Sequence, residues 1–211
     1  MDIINSISTQ LISGNDKDVA SDTKKALDEG ISAETILNDG LIKGMNIIGD
    51  RFRDHEIFLP DVLMAAKAMY AGMELIKPIL IKSGISSRGK IVIGTIQGDL
   101  HDIGKNLVGI MLKGAGYEVI DLGHDVSPER FVETAKETGA TIIGMSALLT
   151  TTMANMKEVV DLLKKESLDG KIRTIIGGAP VSDQYASEIG VDRYSFDAGN
   201  AVDTVKELLE K

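Results

Sequence analysis

Cysteine is absent from the 211-residue chain. Disulfides, thiolate metal sites and cysteine nucleophiles are therefore excluded, and a tightly held metal must draw on histidine, carboxylate or an organic ligand. Histidine is scarce as well: His55, His101 and His124 are the whole supply. Positive charge is in deficit, with 23 Lys and Arg against 32 Asp and Glu for a net charge of −9. Without any cluster of basic residues and aromatics, that balance argues against a nucleic-acid surface. No apolar run approaches the roughly 18 residues of a membrane helix, and "MDIINSISTQ" lacks a basic leader segment. The expectation is a soluble cytoplasmic protein, with no nucleic-acid or membrane partner, long enough for two small domains.

What is present falls into two patterns. From Met1 to about Ile81 the periodicity is helical: Ile3, Ile4, Ile7 and Leu11 recur at helix spacing, and Asn15 and Ser32 stand where N-caps belong. Leu41, Met45, Ile48 and Phe52 form one stripe, and Pro60 opens a long helix through Leu63, Met69, Ile76 and Leu80. Four or five short helices in a bundle are predicted over residues 1–87. The polar stretch "IKSGISSRGK" then interrupts the periodicity, and "KIVIGTI" begins an alternation of strands and helices. Strands are predicted near Ile91–Ile96, in "YEVIDLG", "TIIGMSA" and "RTIIGG", and near Arg193–Phe196, with helices between them and a last helix "VDTVKELLEK". Continuous apolar strands of this kind imply an α/β fold over residues 88–211, a doubly wound, flavodoxin-like five-stranded parallel sheet buried on both faces.

The chemistry concentrates in "GDLHDIGKN", Gly98 to Asn106. His101-Asp102 can be heard as the metal dyad of a helical phosphohydrolase. That reading needs an all-helical setting and further histidines on neighbouring helices, whereas His101 follows a β-branched strand and His55 and His124 read as surface residues. The other reading pairs His101 with Asp99. Imidazole is a good ligand for cobalt and similar metals, and a carboxylate on its second ring nitrogen sets the tautomer and tunes basicity. In a sheet of order 2-1-3-4-5, ligands bind beyond the carboxyl ends of strands one and three. There the loop of Gly98, Asp99, Leu100, His101, Asp102 and Gly104 converges with Ser146, Leu148, Thr150 and Thr152 after the third strand and with Gly177-Gly178 after the fourth. Thr152 can extend hydrogen bonding to Asp99, and the glycines leave room for a bulky planar ligand and its tail. Taken singly, Ser146, Thr150 and Thr152 read as helix caps, and Met145, Met153 and Met156 as core.

Asp99-x-His101-x-x-Gly104, then Ser146-x-Leu148, then Gly177-Gly178 resembles the cobalamin-binding signature of B12-dependent methyltransferases and mutases. The spacing agrees, with 41 residues between Gly104 and Ser146 and 28 between Leu148 and Gly177. "GMNIIGDRFRDHEIFLPDVLMAAKAM" resembles the helical cap of methionine synthase and of corrinoid methyl-carrier proteins. The resemblance implies a corrinoid (cobalamin) cofactor with His101 as the cobalt axial ligand, Asp99 and Thr152 as its relay, and Phe52 and Leu59 shielding the opposite corrin face. It runs from about residue 30 onward and leaves no length for a catalytic barrel. The chain thus resembles a subunit that carries a methyl group, without catalysing alone, between a substrate-specific methyltransferase and an acceptor methyltransferase using tetrahydrofolate or coenzyme M. A reductive activase is a further implied partner. A cobalamin sensor, a mutase small subunit and the phosphohydrolase are the rival readings.

Overall fold

The computed structural model describes residues 2–83 and 87–209. Its contacts divide the chain into two compact units, Met1–Ser87 with Gly114–Gly116, and Arg88–Lys113 with Tyr117–Lys211. The middle of the expected linker, residues 84–86, and the last two residues of the expected final helix lie outside the described residues.

The first unit is helical: α1 (Ile3–Ile12), α2 (Asp16–Asp28), a short α3 (Ala33–Thr35), α4 (Lys43–Arg53) and α5 (Leu59–Lys82). Ile4, Ile7 and Leu11 turn inward from α1, so the periodicity does produce the buried stripe. Of the two expected caps, Ser32 accepts the Thr35 N–H, whereas Asn15 occupies the cap position of α2 without a side-chain bond. Helix α5 is the long helix expected at Pro60 and runs 24 residues. One feature departs from a set of separate helices: α3 continues into α4 through a π-helical stretch, Ile36–Ile42. Gly40 lies in that stretch because a Cβ there would stand 3.1 Å from the Ile7 side chain. No helix among the described residues is long and apolar enough to cross a membrane.

The second unit is a five-stranded parallel sheet of order β2-β1-β3-β4-β5. The strands are β1 (Lys90–Thr95), β2 (Glu118–Asp121), β3 (Ile142–Ser146), β4 (Arg173–Gly177) and β5 (Arg193–Ser195). Between and after them run α6 (Ile103–Gly114), α7 (Pro128–Thr138), α8 (Ala154–Lys165), α9 (Asp183–Ile189) and α10 (Ala198–Leu209). Neighbouring residues of β1 show why both faces are covered. A Cβ on Gly94 would meet the Phe131 ring of α7 at 2.7 Å, while a Cβ on Gly109 of α6 would meet Ile93 at 2.8 Å. Successive strand residues face opposite ways, so α6 and α7 lie on opposite sides of β1. Phe131 is fully buried, worth about 2–3 kcal/mol. Ser127 and Ser182 cap α7 and α9, and Gly139 and Gly190 end them in the left-handed conformation. All strands point the same way, which gathers the loops after β1, β3 and β4 at one edge.

Candidate functional site

Strand β1 leaves its buried run at Ile96, where the chain turns: the Asp99 N–H donates to the Ile96 carbonyl at 3.1 Å. Gly98 takes φ 83° within that turn, a conformation that disfavours any side chain. The loop is closed again when the Thr95 hydroxyl donates to the His101 carbonyl at 3.0 Å, and α6 starts two residues later. The turn carries Asp99 fully inward, at 0 % exposure, and leaves the His101 side chain 52 % exposed.

Asp99 accepts five hydrogen bonds. One oxygen takes the His101 N–H at 3.0 Å and the His101 Nδ1 at 2.7 Å; the other takes the Leu148 N–H at 2.6 Å, the Leu149 N–H at 3.0 Å and the Thr152 hydroxyl at 3.3 Å. Burial is the largest single influence on this carboxyl and pushes its pKa up. The bonds from His101, Leu148 and Leu149 together outweigh it and hold the group well below the usual carboxylate range. An ionised Asp99 accepts only, so Nδ1 carries the imidazole proton and the lone pair sits on Nε2, at the exposed end of the ring.

The donor segment is itself shaped by glycine. Gly178 has φ 124°, and a Cβ there would stand 1.9 Å from the Ala147 carbonyl oxygen; the Ala147 N–H donates to Gly177 at 3.2 Å. The close approach of these backbones sets up the turn from which Leu148 and Leu149 reach Asp99. The demand for glycine at 178 thus comes first from the protein's own backbone, before any tail. Gly104 has open space where a Cβ would be.

Thr152 is buried and donates to the Leu149 carbonyl at 2.8 Å as well as to Asp99. It does not cap α8, whose cap position is Met153 without a side-chain bond, because its hydroxyl is turned back toward the loop. Ser146 closes β3 and accepts the Ile96 N–H at 3.0 Å, and Thr150 is exposed in the turn that follows. The Asp102 carbonyl accepts the Asn106 N–H at the start of α6, while the His101 ring faces Asp99 rather than Asp102. Met145 and Met156 are core and Met153 packs against it. His55, at φ 58°, and His124 are exposed. In the first unit, Phe52 lies in the last turn of α4 and Leu59 opens α5, both half-buried, with Phe58 exposed beside Leu59.

Three supports carry no motif in the sequence. Lys105 has a buried side chain and places its ammonium 2.6 Å from both oxygens of Asp121. Asn155, in the first turn of α8, donates to the Gln97 carbonyl at 2.9 Å. Asp125 contacts the loop from the β2 side. Nothing in local spacing announces them, since each pair joins segments distant in the sequence.

A planar metal complex fits these residues. Among the described residues no group of three or more His, Cys, Asp or Glu side chains is placed to hold a metal ion. His101 offers one exposed nitrogen, Nε2, to a ligand at this edge. Leu100, Ile103, Leu148 and Leu149 are all exposed on the His101 loop and the facing segment, an apolar surface suited to such a complex.

Comparison with known proteins gives matches along nearly the whole chain. Two models, each described as a B12 binding domain, match residues 89–208 and 3–77. A corrinoid protein of Desulfitobacterium hafniense is 43 % identical over 214 aligned residues, spanning 100 % of this chain and 99 % of that one. A dimethylamine corrinoid protein of Methanosarcina barkeri is 43 % identical, spanning 99 % and 98 %. The methanol:cobalamin methyltransferase complex of Methanosarcina barkeri superposes with a TM-score of 0.89 at 31 % identity, covering 99 % of this chain and 80 % of the matched chain.

Proposed function

The chain belongs to the corrinoid proteins with B12-binding domains, and on that premise we propose that it is a cytoplasmic carrier receiving a methyl group from a substrate-specific methyltransferase and delivering it to a second methyltransferase. Tetrahydrofolate or coenzyme M is the proposed final acceptor, and a reductive activase the third partner. The observation that supports this reading best is the fivefold-bonded Asp99, which keeps the His101 proton on Nδ1 and presents Nε2 at an apolar, accessible face.

The bound corrinoid supplies a cobalt centre able to accept and release a methyl group. The protein's part is to bind and orient. His101 would hold the cobalt through Nε2, and Asp99 would keep the ring in one tautomer and one orientation. The hydrogen bonds from His101, Leu148 and Leu149 would keep Asp99 ionised, so the proton stays on Nδ1, and Thr152 would help hold the carboxylate in place. Gly98 and Gly104 would admit the ring to the loop, and Gly177, Gly178, Ser146, Leu148 and Thr150 would border the tail. From the family resemblance alone, Phe52 and Leu59 are proposed to provide apolar cover that excludes water and competing reactions. Relatives that bear the names of dimethylamine and trimethylamine make methylated amines the first donors to test, with methanol next.

The test has two stages. The chain reconstituted with hydroxocobalamin should show the visible spectrum of a histidine-ligated corrinoid, and His101→Ala should abolish that signature. The loaded protein should then accept isotopically labelled methyl from a methylamine or methanol methyltransferase and pass it to an acceptor enzyme. Stable corrinoid binding without any transfer of label from these donors would refute the carrier reading in favour of a sensor.

A further inference from the structure

The loop that carries His101 is held from two sides, and only one of them lies in the signature. The β3–α8 segment grips the Asp99 side chain; Asp125, between β2 and α7, grips the backbone. The Asp125 carboxylate accepts the Gly98 N–H at 2.7 Å, and the Asp125 N–H donates to the Asp99 carbonyl at 3.0 Å. Together these bonds bracket the Gly98–Asp99 pair, the turn that aims Asp99 at His101.

Asp125 is itself firmly placed. The Thr95 N–H donates to the Gly123 carbonyl at 2.9 Å and the Val126 N–H to the Thr95 carbonyl at 3.0 Å, so both neighbours of the Asp125 segment are laced to the end of β1. One more anchor comes from the Gly123 N–H, which donates to Asp121 at 2.9 Å, and Asp121 is paired with Lys105 of α6. Asp125 adopts φ 54°, a left-handed conformation that strains a non-glycine residue and that aspartate tolerates better than most. Glycine would relieve that strain but would leave the Gly98 N–H without its acceptor.

We propose that Asp125 is a positioning residue for the axial histidine, holding the Gly98–Asp99 turn so that Asp99 meets Nδ1 and Nε2 stays aimed at the apolar face. The proposal rests on the reading of His101 as the cobalt ligand. It assigns the role to hydrogen-bond geometry, so an amide, which keeps an acceptor oxygen, should serve in place of the carboxylate.

The experiment uses the full chain with Asp125→Asn, Asp125→Ala and Asp125→Gly, beside His101→Ala. In the apoprotein, exchange of the Gly98 amide should accelerate about tenfold in the Ala and Gly variants, the effect of one lost hydrogen bond, and stay near the parent rate in Asn. After reconstitution with hydroxocobalamin, the Ala and Gly variants should show a reduced histidine-ligated fraction, and Asn should restore it. A parent-like spectrum in both Ala and Gly would overturn the proposal, as would an Asn variant no better than Ala. If His101→Ala itself leaves the spectrum unchanged, the reading of the ligand fails; if it alters the spectrum while the Ala and Gly variants do not, only the role of Asp125 fails.

Discussion

Replacing Asp99 by asparagine changes one atom and tests the logic of the site. The carboxylate faces donors at both oxygens: His101 N–H and Nδ1 on one, Leu148 N–H, Leu149 N–H and Thr152 on the other. Asparagine can offer an acceptor oxygen to only one group. The better choice keeps the oxygen toward Leu148, Leu149 and Thr152 and turns the amide NH₂ toward His101. There the backbone N–H of His101 loses its acceptor, costing about 1–3 kcal/mol, and the three retained bonds lose the strength of a charged partner. The net expectation is a loss of about 2–4 kcal/mol, or roughly 5–15 °C in the melting temperature of a chain this size. The amide also forces Nδ1 to accept, moving the imidazole proton to Nε2 and removing the lone pair that a metal needs. Asp99→Asn should therefore unfold earlier in denaturant as the apoprotein and, when given hydroxocobalamin, lack the histidine-ligated spectrum. A variant within ~0.5 kcal/mol of the parent, with the axial signature intact, would refute the account of Asp99.

Acid titration should expose the same carboxyl by linkage. Its pKa lies well below the ordinary value of 3.8 when folded, so the unfolded chain binds the extra proton; the stabilisation is complete above roughly pH 5 and drains as pH falls past the unfolded value. Stability measured from pH 6 to 3 should fall less steeply in Asp99→Asn than in the parent, and equal slopes would contradict the assignment. Gly178→Ala would drive a Cβ to 1.9 Å from the Ala147 carbonyl at a φ of 124°, so a loss of about 3 kcal/mol or more and failure to retain corrinoid are expected, checked by thermal unfolding and gel filtration with cofactor. Asp121→Ala should cost about 3 kcal/mol by leaving the buried Lys105 ammonium without its acceptor, and Lys105→Met markedly less; equal losses in denaturant unfolding would show that the ammonium needs no partner.

How much of this was legible beforehand can be read from particular residues. Asp99 and His101 stand two apart in a loop after a strand, and a loop allows both to face the same point. The doubly wound parallel sheet followed from apolar runs alternating with helices; its order was the flavodoxin-like expectation, and the structure has it. Thr152 was expected to donate to Asp99 and does so; the cap role it would have if taken singly is not taken up, since its hydroxyl is turned back toward the loop. The long α5 was legible in the apolar stripe that follows Pro60, whereas the π-helical join before α4 was not; neighbouring helices decide how one helical run is joined to the next.

By itself the sequence determined the fold class and pointed to His101 and Asp99 as the residues to examine, because periodicity, strand composition and the absence of cysteine are local properties of the chain. Tertiary structure alone decided which oxygen of Asp99 meets which donor, that Asp125 braces the loop while Lys105 of α6 pairs with Asp121 of β2, and that Gly178 answers to the Ala147 carbonyl. Those relations join segments tens of residues apart. Hydrogen bonds and close backbone approaches across strands have no local spacing to reveal them; they exist only once the sheet has set its register.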